Sequence, residues 1–207
     1  VLKTNDVSAA GRKKTSKLIW IDTHIHVSDI GRDGRKRERM LEDLLEVLDR
    51  DEADLRFIIS PEPSLVKTTD AETMLTANRM VYELCRRAPD RLYGSCMVMP
   101  CFPEESLRVM KICFEEWGFV QLGEMEQYSH NFKMNDSNTE KVVRLAAKYD
   151  VPVQVHCGTW WCKGSKPGGA SDGLNQMGEL IEIAERVPEA KYILAHAIGD
   201  AGPFPGC

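Results

Sequence analysis

Leu18 to Val27 is a run of apolar and β-branched residues that carries Asp22, His24 and His26, and it constrains the chain more than any other stretch. Such a run reads as a buried strand. Side chains alternate along a strand, so Asp22, His24 and His26 share one face, while Ile21, Thr23, Ile25 and Val27 share the other. Three polar groups on one face of a hydrophobic strand are costly to bury unless something satisfies them. Two imidazoles at i and i+2 suit a divalent metal, for which neutral imidazole is a common ligand. The same residues also allow two hydrogen-bonded core histidines beside a structural Asp22. The rest of the chain has to decide between the two.

At 207 residues the chain is long enough to bury a sizeable core as one domain. Its net charge of −5 argues against a general nucleic-acid binder. No apolar run has the length of a membrane span, and the N-terminus lacks a secretory apolar region. Seven cysteines without framework spacing point to reduced thiols, hence to the cytoplasm. The expected partner is a small-molecule substrate rather than nucleic acid or membrane, and a homo-oligomer is allowed.

Residues 1–16 are polar and basic without periodicity and read as a disordered leader, with the folded domain over 17–207. After the first strand, Leu41, Leu44, Leu45 and Leu48 predict a helix over about 37–51. Residues 55–59 form a second strand. Thr69-x-x-Glu72 resembles a capping box for a helix that turns Met74, Ala77, Val81 and Leu84 inward. Residues 92–99 are a third strand, followed by a helix opening near Pro103. Residues 119–122 are a fourth strand, ending in Gly123-Glu124. Ser137-x-x-Glu140 predicts the cap of the next helix, and 151–155 is a fifth strand running into His156. Leu174, Met177, Leu180, Ile181 and Ala184 mark the inward stripe of a further helix. Residues 192–195 are a sixth strand ending at His196.

Short apolar strands alternating with helices mean a parallel β/α architecture. Alternation alone leaves a doubly wound sheet and a barrel open. The polar residues separate them, because His24, His26, Glu124, His156 and His196 all fall at strand C-terminal ends. A barrel gathers those ends into one ring, where active sites are built. An open sheet would hold the first and sixth strands apart.

With Ile21-Asp22-Thr23-His24-Ile25-His26, Val153-Gln154-Val155-His156-Cys157-Gly158 and Ile193-Leu194-Ala195-His196 in this order, the sequence resembles the amidohydrolase superfamily, in its amidohydrolase-related branch of metal-dependent hydrolases and decarboxylases. The resemblance covers residues 18 to about 200. It implies a distorted (β/α)8 TIM-type barrel with one catalytic divalent metal, usually zinc. On the same footing His24, His26 and His156 would ligate the metal, and His196 would be the catalytic histidine that contacts metal, water or substrate. The implied activity is hydrolysis of a small amide, ester or lactone by a metal-activated water. The alternatives are a decarboxylase of a small unsaturated or aromatic acid, and a barrel fragment without turnover. The resemblance also implies an Asp ligand at the end of an eighth strand, and only about six of eight β/α units are legible, so the sequence reads as an incomplete barrel. Asp200, in the loop after the sixth strand, is a poor substitute.

Glu124 ends the fourth strand where some superfamily members place a carboxylate ligand, and it is a candidate further ligand here; a loop-anchoring role is the plainer alternative. Asp22 reads as a structural group or one that orients a ligating imidazole. His130 reads as a loop residue, with contact to substrate as the lesser alternative. Arg32 leads a basic cluster with Arg35, Lys36, Arg37 and Arg39 that could attract a carboxylated substrate, or simply be solvated. Trp160 and Trp161 are candidate walls of a substrate pocket, in a glycine-rich loop, 158–173, that would cover the site as a lid.

Overall fold

The computed structural model of the chain describes residues 19–31, 34–50, 54–157 and 176–196. The expected leader at 1–16, Arg32, the 158–173 loop with Trp160 and Trp161, Leu174 and Asp200 lie outside these residues. Among the described residues no helix is long and apolar enough to cross a membrane.

Strands β1 (Ile19–Val27), β2 (Asp54–Pro61), β3 (Leu92–Cys96), β4 (Gln121–Met125), β5 (Val153–His156) and β6 (Tyr192–Ala195) form one sheet, ordered as in the sequence. Every neighbouring pair is parallel. Helices α1 (Met40–Leu48), α2 (Glu72–Arg87), α3 (Pro103–Lys111), the short α4 (Gln127–His130), α5 (Ser137–Lys148) and α6 (Gln176–Arg186) lie between them. A doubly wound sheet would reverse its strand order at a switch point. Here the order never reverses, and the sheet curls. The Thr23 carbonyl on β1 accepts from the Gln121 side chain on β4 and the Gln154 side chain on β5, strands three and four places away. The architecture is therefore six consecutive strands of a (β/α)8-type barrel with helices between them, and β1 and β6 are the outer strands of the described sheet.

The helices dock on this sheet through the expected stripes. In α2 the buried residues include Met74, Ala77, Val81 and Leu84, as the 3.6-residue period requires. α1 is shorter than expected, because an isolated bridge between Ile30 and Lys36 holds the preceding residues in a turn. In α6 Leu180 faces inward as expected and Ala184 is half-buried, but Met177 and Ile181 are exposed and Ile183 is buried instead. The caps also differ. α5 is capped by Asp136, whose carboxylate accepts from the backbone N–H groups of Asn138 and Thr139; Ser137 is the first helical residue. α2 has no capping box: Ala71 precedes it, and Asp70 Oδ1 accepts from the Glu72 N–H.

The first strand departs from a fully buried strand. Ile19, Trp20 and Ile21 are 47%, 57% and 55% exposed, since β1 pairs only with β2 among the described residues. Burial begins beyond Asp22, where the curl brings the strand over β4 and β5.

Candidate metal centre

The pairing of β1 with β2 shifts between Asp22 and Ile25; His24 lies within that irregularity and His26 just beyond it. Strict alternation therefore does not carry Asp22 onto their face. Asp22 Oδ1 instead accepts from the His24 backbone N–H at 3.0 Å, holding the bulge rather than an imidazole. His24 Nε2 and His26 Nε2 lie 3.2 Å apart.

Between them and the other strands stands Glu124, 1% exposed at the end of β4. Its Oε2 is 3.0 Å from His24 Nε2 and 3.1 Å from His26 Nε2. Its Oε1 is 3.0 Å from His156 Nδ1 and 3.6 Å from His196 Nε2. The His196 ring centroid lies 4.7 Å from those of both His24 and His156. Four of the five histidines in the chain thus meet at one carboxylate. His196 reaches it from a left-handed backbone, φ +61, just beyond β6. Glycine is what lets β4 deliver Glu124. Gly123 has φ +126, and a Cβ there would stand 2.4 Å from the Gln154 carbonyl oxygen.

The protonation pattern asks for a cation. His26 Nδ1 lies 3.2 Å from the Pro61 carbonyl, which can only accept, so Nδ1 carries the hydrogen; Ser60 Oγ is 3.0 Å from the same nitrogen. A neutral His26 then turns its Nε2 lone pair toward the Glu124 carboxylate. A proton or a metal ion has to sit between them. Burial disfavours the charged imidazole, yet the bond to Glu124, its charge and the Pro61 carbonyl outweigh that and hold the His26 pKa above its ordinary value. Burial likewise opposes ionised Glu124, but His156, His24 and His26 keep it well below the usual carboxylate range. Ligand atoms around a tetrahedral zinc at 2.0–2.1 Å are about 3.3 Å apart. The 3.0, 3.1 and 3.2 Å separations among His24, His26 and Glu124 approach that spacing, so the donor set fits a divalent ion.

Around this cluster lies an open cavity of about 860 Å³, whose lining includes Lys67, Glu126, Ser129 and His130 as well as the four cluster histidines. The sequence reading missed several of these. Glu126 is 5% exposed and accepts from Ser129 Oγ at 2.5 Å; burial and the neighbouring Glu124 charge push its pKa up. With His26 and Glu124 it forms a second group of close ligand atoms, beside the group of His24, Glu124 and His196. His130 stands in a helix rather than the expected loop. It ends α4, 2% exposed, with Nε2 3.2 Å from the Pro63 carbonyl. Among the described residues Lys67 brings positive charge to the cavity wall, while Arg32 lies outside them. Arg37 and Arg39 pair with Asp43 and Glu46 in solvent.

The amidohydrolase family model matches residues 21–200. Among solved structures the chain is similar to a candidate amidohydrolase from Staphylococcus aureus, at 18% identity and a TM-score of 0.65, over 86% of this chain and 67% of that one. It is also similar to 4-oxalomesaconate hydratase from Rhodopseudomonas palustris, at 17% identity and 0.61, over 90% and 65%. A third is the dihydroxybenzoic acid decarboxylase from Polaromonas sp. JS666, solved with manganese and 2-nitroresorcinol, at 18% and 0.61, over 86% and 64%. The chain therefore spans about two thirds of the length of these proteins. No curated protein matches the sequence significantly. The fold is of the barrel class and its histidine–carboxylate cluster has a donor set that fits a divalent ion. The family match is specific: the chain belongs to the amidohydrolase family.

Proposed function

We propose that the protein is a metal-dependent hydrolase of a small amide, ester or lactone, with zinc held by His24, His26, His156 and Glu124. The observation that carries this is the Glu124-centred cluster of four imidazoles facing an open cavity. A bound divalent ion would polarise a substrate carbonyl and acidify a water. The chain's own residues do the rest. Glu124 holds the imidazoles in register, and Pro61 and Ser60 fix the hydrogen of His26 on Nδ1, which leaves Nε2 to ligate. His196 Nε2, at the cavity edge of the cluster, takes and returns a proton as general base and acid. Ser129 orients Glu126 beside the reacting space.

A second reading is a carbon–carbon lyase, since one of the similar structures is a decarboxylase of a small aromatic acid, solved with manganese. Lys67 on the cavity wall would suit the charge of such a substrate. The test is turnover by metal-loaded protein of a p-nitrophenyl ester, an anilide and a lactone, set against carbon dioxide release from 2,6-dihydroxybenzoate. Hydrolysis that stops on chelation and returns with zinc supports the first reading. Carbon dioxide release without hydrolysis overturns it in favour of the second.

A further inference from the structure

We propose that Gln121 and Gln154 are positioning residues, which brace the histidine-bearing segment of β1 against the strands that carry the other ligands. The inference rests on the metal-centre reading above.

The brace is at Thr23. Its carbonyl sits where the β1–β2 ladder is interrupted, between Asp22 and Ile25, one residue before His24. Gln121 Nε2 donates to that oxygen at 3.1 Å and Gln154 Nε2 at 3.0 Å, so both of its lone pairs are engaged. Gln121 Nε2 also lies 3.2 Å from Gln154 Oε1, which ties the two amides together. Gln121 stands on β4 three residues before Glu124, and Gln154 stands on β5 two residues before His156. One oxygen of β1 is thus fastened to both strands that supply the remaining donors. Since β1 pairs only with β2 among the described residues, this cross-brace fixes its ligand segment from the barrel interior.

The amides are expensive where they are. Gln121 and Gln154 are 0% and 2% exposed, beside the buried apolar side chains of Leu122, Val153 and Val155. Gln121 Oε1 is buried and has no hydrogen-bond partner among the described residues. A fold that needed only volume there would do better with an aliphatic side chain, because a buried polar atom without a partner is destabilising. Holding His24 and His26 at their spacing from Glu124 is what that cost secures.

The experiment uses the full chain with Gln121→Met, Gln154→Met and both together, methionine being unbranched and of similar length. Three quantities are measured: zinc affinity by competition with a chromophoric chelator, the visible absorption spectrum of the cobalt-loaded protein, and thermal unfolding in chelator. The expected result is a loss of zinc affinity of about 10–100-fold in the double variant, the range typical of residues that orient ligands. The cobalt spectrum changes with it, and the metal-free protein also unfolds at a lower temperature, because the Thr23 carbonyl loses both donors. Unfolding at lower temperature with unaltered zinc affinity and cobalt spectrum would make the glutamines merely structural and overturn the proposal. Should the double variant fail to fold, Gln121→Met, which also removes the unpartnered oxygen, carries the test on the same three readouts. Absence of zinc binding by the unsubstituted chain would overturn the metal reading itself, and the brace with it.

Discussion

Gly123→Ala is the substitution to which the site should be least tolerant. At φ +126 the residue occupies backbone space that is essentially open to glycine alone, and strain of this kind costs about 1–3 kcal/mol. The added Cβ would also stand 2.4 Å from the Gln154 carbonyl oxygen, about 1 Å inside ordinary contact. That neighbour is main chain of β5, so no rotamer change relieves it. The Gly123 carbonyl is itself held by Ser95 Oγ at 2.7 Å, which resists movement the other way. Strain and overpacking together should destabilise the fold by about 2–4 kcal/mol. For a chain of this size that lowers the unfolding midpoint by about 5–15 °C. Gly118→Ala is the control. Gly118 also has positive φ, +67, but a Cβ there meets nothing within 4 Å, so only a conformational cost of about 1–2 kcal/mol applies. Differential scanning fluorimetry and zinc titration on both variants separate the cases. Gly123→Ala should unfold earlier and also bind zinc more weakly, because the residue it displaces precedes Glu124. Equal midpoints for the two variants, or a Gly123→Ala protein with unaltered zinc affinity, would refute the reasoning.

Glu124→Gln should weaken zinc binding by at least about 100-fold, more than residues that only orient ligands; isothermal titration measures it. The metal-free protein should be most stable between about pH 4.5 and 6.5, followed by chemical denaturation across pH. Above the ordinary histidine value of 6.5, the stability from His26, whose folded pKa is raised, is lost as pH rises through that raised value. The stability from Glu124 is present above 4.5 and is lost only as pH falls through its depressed value. Zinc affinity should rise with pH over the same range, since the ion displaces the imidazole protons. Trp20→Lys should reduce self-association measured by light scattering, because the exposed Ile19-Trp20-Ile21 edge of β1 is the largest apolar outlet among the described strands.

The sequence carried the site's skeleton because strand geometry is simple. His24, His26, His156 and His196 each close an apolar run, and parallel strands laid in chain order bring those ends together. Glu124 was legible for the same reason, although its place at the centre of the histidines depends on Gly123, whose positive φ no periodicity announces. Gln121 and Gln154 left a signal that went unread, a polar residue inside an apolar strand, the same signal that marked His24 and His26. Glu126 is two residues from Glu124 and equally visible in hindsight, but its burial follows from the turn into α4 and the Ser129 bond. Leu180 was read correctly in α6, but Met177 and Ile181 were not, because they and Ile183 are all apolar and only tertiary packing chooses among them. Lys67 could not be told from any surface lysine, since the cavity it lines exists only once β2, α4 and the histidines are assembled.

Anomalous diffraction at the zinc edge, from crystals of the chain grown with one equivalent of zinc, tests the centre most directly. A peak within bonding distance of His24 Nε2, His26 Nε2 and Glu124 is the expected outcome. A peak held by other residues, or none at this cluster, would contradict it.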